Sequence, residues 1–242
     1  MKRQTTVEFE HITFTREGEA ILRNISGNFK EGTITALIGP SGSGKTTFLK
    51  MLNGLLSPTS GTITILNKRI DEYNPIELRT KVGIALQDAP VIRGTVFENL
   101  ALPYLLKGKT FTKEQAKEFL QYVGLDDSFI YRDASDLSGG QRQRLSLART
   151  LVNEPKVLLL DEITSALDPT ATSEIEQLIK KITYERHVTT VWITHNIRQA
   201  LSISDNIMLI DSGKITLFAP TDSLTDKHYE ILAPFLHGGA QS

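Results

Sequence analysis

Gly39-Pro40-Ser41-Gly42-Ser43-Gly44-Lys45-Thr46-Thr47 has the residue types and spacing of a phosphate-binding loop. Glycines at 39, 42 and 44 allow tight turns, so consecutive backbone N–H groups and the positive end of the following helix can point at one anion. Lys45 can then reach the outer phosphates of a nucleotide. Thr46 offers a hydroxyl to a magnesium ion bridging the same phosphates. The flanks suit this use: Thr33 to Ile38 reads as a short buried strand and Lys45 to Leu55 as a helix. A glycine-rich turn that binds nothing would not need every fixed position filled.

Asp161-Glu162 ends the apolar run Val157-Leu158-Leu159-Leu160, which puts two carboxylates at the carboxyl edge of a buried strand. Asp161 is suited to holding magnesium through water, and Glu162 to orienting and deprotonating the water that attacks a terminal phosphate. In isolation the pair reads equally well as a solvated acidic loop. Leu137-Ser138-Gly139-Gly140-Gln141 is the most specific stretch after the phosphate loop. Ser138 and Gln141 make a capping box for the helix that follows, which is the structural account. Two glycines inside that box weaken a helix start while opening its N–H groups to an anion. Arg142 and Arg144 add cations near the positive helix end, where a phosphate would be welcome. His195 follows the strand Val191-Trp192-Ile193-Thr194, and Gln87 follows the strand Val82 to Leu86. A lone histidine is more often structural, but the strand-end position favours a role at the site.

The elements that would hold these residues follow from periodicity. Val7 and Phe9, then Ile12 and Phe14, then Ile21, Ile25 and Phe29 alternate as in half-buried antiparallel strands, joined later by Thr62 to Ile65 with the turn Asn67-Lys68. Asn74-Pro75 caps a short helix through Leu78. Between Asp88 and Leu137 the strand signal gives way to helices, which predicts an inserted helical lobe. There Thr112 to Gln115 is a capping box, Gly124 a stop, and Pro103 should kink or end a helix over Thr95 to Leu106. Beyond Gly140, a helix to Val152, strand 157–160, helix 169–186, strand 188–193 and helix 196–202 predict a parallel sheet covered on both faces. Asn206 to Ile210 and Ile215 to Phe218 form a closing hairpin, and His237 to Ser242 reads as a disordered tail.

Composition narrows the classes. The 242 residues suffice for one large domain or two small lobes, and a net charge of −1 gives no reason to expect a nucleic-acid partner. With no cysteine there are no disulfides, thiolate metal sites or cysteine nucleophiles, which fits a reducing compartment. Met1-Lys2-Arg3-Gln4 leads into alternation, without a signal-peptide pattern. The longest apolar stretch, Val157 to Leu160, is far too short to cross a bilayer, so any membrane connection must come through a partner.

Gly39 to Thr47, Gln87, Leu137 to Gln141, Val157 to Glu162, Ser165-Ala166-Leu167-Asp168 and His195 occur in the order and approximate spacing of the ATP-binding-cassette (ABC) transporter ATPases, and the resemblance covers nearly the whole chain. It implies an α/β P-loop cassette with a RecA-like parallel-sheet core, an N-terminal antiparallel β subdomain and an inserted helical subdomain. Residues 1–236 would form this one domain, with 1–87 and 138–236 as catalytic core and 88–137 as helical subdomain. The cofactors implied are ATP and Mg²⁺. Two cassettes, expected as a homodimer, would sandwich two ATP molecules head to tail, each phosphate loop being completed by Leu137, Ser138, Gly139, Gly140 and Gln141 of the opposite chain. Glu162 would be the catalytic base, His195 a contact to the terminal phosphate, Gln87 a magnesium ligand and sensor, and Asp168 part of the dimer communication loop.

The resemblance further implies a polytopic membrane subunit on a separate chain, and a peripheral position on the cytoplasmic face of the cell membrane. Many cassettes carry an adenine-stacking aromatic where this chain has Arg16, whose guanidinium plane could also stack or could simply be a surface group. Ile163 stands where the family more often has proline. The run Lys156 to Asp168, with Val191 to His195, resembles the Fet-type iron-exporter ATPases and their plant aluminium-tolerance relatives. Phosphate and amino-acid importer cassettes share most of these residues, and the soluble iron–sulfur-assembly ATPase is the alternative without transport.

Overall fold

Alternating apolar residues at the start of the chain build a long antiparallel pair, β1 (Thr5–Arg16) and β2 (Glu19–Lys30). Val7 and Phe9 are buried and so is Ile12, although 9 and 12 are out of phase for a regular strand. A bulge resolves this: the register shifts between Phe9 and Ile12, and His11 sits at φ 52°. The extra residue flips the alternation so that both halves of β1 face inward. The computed structural model describes residues 4–236, so the tail expected over 237–242 lies outside the described residues.

β3 (Ile34–Ile38) is buried throughout and leads through the phosphate loop into α1 (Lys45–Leu52). The helix stops three residues short of the sequence expectation because Gly54 turns to φ 68°, and the N–H groups of Leu55 and Leu56 fold back onto the Lys50 carbonyl. β4 (Ser60–Ile65) and β5 (Lys68–Arg69) follow, joined at Leu66-Asn67, both with positive φ. These strands complete a four-stranded antiparallel sheet in the order β2-β1-β4-β5. α2 (Pro75–Lys81) begins at Asn74, whose side chain accepts from the Ile76 N–H, and runs one turn longer than expected.

After β6 (Val82–Ala85), the stretch to Leu137 holds α3 (Val96–Leu105) and α4 (Lys113–Tyr122), both started by complete capping boxes, and no strand beyond one isolated bridge. Pro103 does not end α3. The helix continues two residues past it and the Leu106 N–H still reaches the Leu102 carbonyl at 3.0 Å, because one missing donor in a last turn is tolerated.

The remainder alternates: α5 (Gly139–Leu151), β7 (Val157–Asp161), α6 (Pro169–Glu185), β8 (Thr189–Ile193), α7 (Ile197–Ile203), β9 (Asn206–Asp211), β10 (Lys214–Pro220) and α8 (Asp226–Leu236). Sequence periodicity did not mark α8, whose Leu232 is buried against Ile197 and Ala200 of α7. The strands form a six-stranded sheet in the order β10-β9-β3-β8-β7-β6. All pairs are parallel except β9 with β10 on the edge. Thus β3, β8 and β7 are neighbours, and the loops leaving their carboxyl ends share one edge.

Two large apolar cores clamp this sheet. On one side, Phe9, Phe29 and Phe48 stack edge to face or tilted at centroid distances of 5.3, 4.8 and 6.3 Å, tying the antiparallel sheet to α1. On the other, Leu100 and Leu120 join Leu145, Leu158 and Trp192, so α3 and α4 share one core with α5 and the sheet. Phe48 lies on the helix that follows the phosphate loop. Phe48→Ala is expected to cost about 3–5 kcal/mol of stability, read from urea unfolding, because a fully buried ring in this cluster leaves a cavity.

Candidate functional site: a nucleotide cleft

The phosphate loop is held by close backbone approach. Gly39 has φ 143°, and a Cβ there would lie 2.0 Å from the Ile210 carbonyl oxygen, so no other residue fits between β3 and β9. Gly44 caps α1 at φ 104° with no side-chain cap and no acidic residue in the first turn, which leaves the helix N–H groups free to meet an anion. Lys45 is buried and its Nζ donates to the Gly39 and Pro40 carbonyls at 2.9 and 2.8 Å, lying along its own loop. Burial pushes the Lys45 ammonium below its ordinary range, while Glu162 and Asp161 pull it back up. The Ser43 hydroxyl is buried in this loop without a protein partner, an orphan polar atom suited to an oxyanion.

Across the cleft, β7 delivers Asp161 and Glu162. The Thr46 hydroxyl donates to Asp161 Oδ1 at 3.4 Å. Burial, then the neighbouring Glu162, raises the Asp161 carboxyl above its ordinary range, against the Thr46 hydrogen bond and the Lys50 and Lys45 charges. Glu162 itself sits in the left-handed region at φ 51°. Its N–H donates to the Ile193 carbonyl, and its own carbonyl accepts from the N–H and hydroxyl of Ser165. Such a conformation costs on the order of 1 kcal/mol for a residue with a side chain, and it turns the carboxylate out of the strand line towards β8. There His195 Nε2 lies 2.5 Å from Glu162 Oε1.

Ser41, Gly42, Gly44, Lys45, Thr46, Thr47, Glu162 and His195 thus line one cleft of about 690 Å³. Gly39, Pro40 and Ser43 support it from behind. Sequence reasoning missed the part of the lining formed by Glu19, Ala20, Ile21 and Arg23 of β2 with Ser212-Gly213 of the β9–β10 turn, which flanks the phosphate loop: a Cβ on Gly44 would lie 3.1 Å from the Ile21 carbonyl oxygen. The Arg23 N–H donates to the Gly213 carbonyl at 2.8 Å, a pairing of segments nearly two hundred residues apart that leaves no local pattern. Arg16 does not line the cleft. It is exposed at the end of β1 beside Glu19, with Glu17 Oε1 3.8 Å from its Nε.

Leu137 to Gln141 also lie outside the cleft. Ser138 caps α5 by accepting from the Gln141 N–H, and the Gln141 side chain accepts from the Ser138 N–H. Of the two arginines expected near this helix start, Arg142 stays there and Arg144 is turned away. Arg142 donates to the Leu137 carbonyl, while Arg144 bonds the Val123 and Gly124 carbonyls and pairs with Glu174. Arg144, further along α5, reaches the carbonyls left over at the end of α4. Gln87 is exposed in the turn after β6, and Asp168 caps α6 by accepting from the Ala171 N–H at 2.9 Å.

Comparison with known proteins agrees with this geometry. A family model described as ABC transporter matches residues 22–165. The putative ABC transporter ATP-binding protein YjkB of Bacillus subtilis is 42% identical over 233 residues, 95% of this chain and 92% of that one. ABC transporter I family member 17 of Arabidopsis thaliana is 39% identical over 91% of this chain and 84% of its own. Among solved structures, cbiO1 of Clostridium perfringens, part of the transporter complex cbiONQ, superposes with TM-score 0.83 at 28% identity, covering 97% and 93% of the two chains. The dimeric cassette MJ0796, bound to ADP and Pi in a post-hydrolysis state, gives TM-score 0.79 at 32% identity over 90% and 100%. The chain belongs to the ABC transporter family. Within it, the chain is an ATP-binding cassette and an ATPase.

The raised Asp161 carboxyl gives a test of the electrostatics. A carboxyl favoured in its protonated form by folding lowers stability as pH climbs from its ordinary value of 3.8 through the raised folded value. Asp161→Asn is therefore expected to melt above the parent at pH 7 in metal-free buffer, with the difference closing as pH falls towards 3.8. Calorimetry across that range measures it.

Proposed function

We propose that this cassette binds and hydrolyses Mg²⁺-ATP as one half of a head-to-tail pair and passes the resulting motion to separate membrane subunits. The observation that supports this best is the division of the motifs. Lys45, Thr46, Glu162 and His195 line one cleft, whereas Leu137 to Gln141 lie outside it at the start of α5. This division supports a role in which Leu137 to Gln141 meet a nucleotide held by a second copy.

In this reading Gly39 to Thr47 cradle the phosphates, with the loop N–H groups, the start of α1 and Lys45 carrying their charge. Thr46, Asp161 and Gln87 would hold the metal. The hydroxyl and carboxylate of the first two, already 3.4 Å apart, are the hard oxygen donors magnesium prefers. A magnesium ion held there would offset the negative charge of the phosphates. Glu162 takes a proton from the attacking water, so that its oxygen bonds to the terminal phosphorus as the bond to the ADP oxygen breaks. His195 contacts the terminal phosphate, and Ser138 and Gly140 of the second copy close the site. Asp168, capping α6 beside the Glu162 loop, communicates between the copies, and Arg16 stacks on adenine. Residues 88–137, with Gln87, face the membrane subunit, which would place the cassette on the cytoplasmic face of the membrane.

Iron export is the finer reading, supported by the run Lys156 to Asp168 with isoleucine at 163. Relatives named for methionine import in Clostridium tetani, 40% identical over 84% of this chain, and for phosphate import in Aeropyrum pernix, 36% over 90%, support the importer alternative.

The deciding experiment uses tagged Glu162→Gln, purified from gently solubilised membranes with ATP present. The expected result is a trapped dimer that carries a polytopic partner, with turnover lowered by roughly a hundredfold or more. Rapid hydrolysis by Glu162→Gln overturns the base assignment, and recovery with soluble partners alone overturns transport. The partner's solute, assayed as iron efflux against methionine or phosphate uptake, decides the subtype. Arg16→Ala is expected to weaken ATP binding severalfold, on the order of 1 kcal/mol for a stacked cation, and unchanged affinity would remove Arg16 from the site.

A further inference from the structure

We infer that Gln199 is a positioning residue that locks the Glu162 loop to the His195 loop. The inference rests on the reading of Glu162 and His195 given above. Gln199 is buried on α7, away from the phosphate loop. Its Oε1 accepts from the Thr194 hydroxyl at 2.5 Å. Its Nε2 donates to the Thr164 hydroxyl at 3.1 Å and to Glu176 Oε1 at 2.8 Å. Thr194 immediately precedes His195, and Thr164 stands two residues after Glu162.

The amide orientation follows from the partners. The Thr194 hydroxyl already accepts from the Asn196 N–H, so its proton points at Gln199 Oε1, and the Glu176 carboxylate can only accept. The Gln199 N–H in turn donates to Asn196 Oδ1 at 3.0 Å, which fixes the start of α7. One side chain therefore bonds the loops after β7 and β8 and the α6 helix that follows the Glu162 loop.

This arrangement matters because Glu162 has a left-handed backbone that its surroundings must hold in place. The 2.5 Å approach of Glu162 to His195 depends on the relative position of two loops that share few other side-chain bonds. A second hollow, of about 870 Å³, has Gln199, Thr164 and Thr194 in its wall together with Glu162 and His195. None of the phosphate-loop residues lines it, so the bracket reaches the reacting groups without touching the phosphate loop.

The test measures ATP turnover, affinity for a fluorescent ATP analogue and melting temperature of the full chain. Gln199→Met keeps the volume and removes all three side-chain bonds. It is expected to bind nucleotide with affinity within about twofold of the parent while kcat falls roughly ten- to a hundredfold, as a misplaced catalytic group does. Gln199→Glu is expected to be slow too, since it sets a carboxylate against Glu176. The double variant Gln199→Glu/Glu176→Gln is expected to regain most of the turnover, because donor and acceptor have exchanged places across the pair. Undiminished kcat in Gln199→Met, a loss of kcat only in step with affinity and melting temperature, or a double variant as slow as Gln199→Glu each overturns the inference. If Gln199→Met does not fold, the comparison of Gln199→Glu with the double variant decides it. Glu162→Gln is assayed alongside: if it retains turnover, the reading of the site falls and this inference with it, whereas if it is inactive and Gln199→Met is not, only the inference falls.

Discussion

Parallel pairing of β3 with β8 and of β8 with β7 is the constraint on which the site depends. Leu37 lies opposite Ile193, and Ile193 opposite Asp161, so the three strands end within one residue of a common line. The phosphate loop, the carboxylate pair and the histidine leave the sheet within two residues of that line. A slip of one residue in either pairing would send every side chain of the moved strand to the other face and carry its loop away from the cleft. Burial guards against this, because each of the three strands is apolar on both faces and lies between two cores.

Around that edge, the same close packing makes the site both rigid and locally strained. Gly39 passes so near the Ile210 carbonyl that the loop has no lateral freedom, and Glu162 is held left-handed by bonds to Ile193 and Ser165. Lys45 and Asp161 are shifted in opposite directions for one reason, the cost of keeping a charge where water is scarce. Phosphates and a divalent cation supply the complementary charges, so in the proposed reading the site's electrostatic tension is relieved by what it binds.

The helical stretch and the N-terminal sheet stand in different relations to this edge. The aromatic cluster of Phe9, Phe29 and Phe48 fixes α1 from the β1–β2 side, and β2 also lines the cleft beside the phosphate loop. By contrast, α3 and α4 reach the sheet through α5, the helix whose start carries Leu137 to Gln141. A shift of α3 and α4 would therefore be felt first at that helix start, a route consistent with coupling between partner and nucleotide.

Local chemistry was enough to read much of this protein from its residues in order. The phosphate loop needs glycines at set positions, capping boxes announce α4 and α5, and buried parallel strands are apolar runs ended by polar residues. Each of those signals lies within about ten residues of chain. What only the tertiary structure decided has partners far apart: the strand order that gathers three loops, the β2 wall of the cleft, the diversion of Arg144 to the Val123 and Gly124 carbonyls, the docking of α8, and the Gln199 bracket. Turns and caps are short-range steric and hydrogen-bonding choices, and the sequence states them directly. Long-range contacts are chosen by the burial of whole faces, and no single residue along the chain records which distant group it will meet.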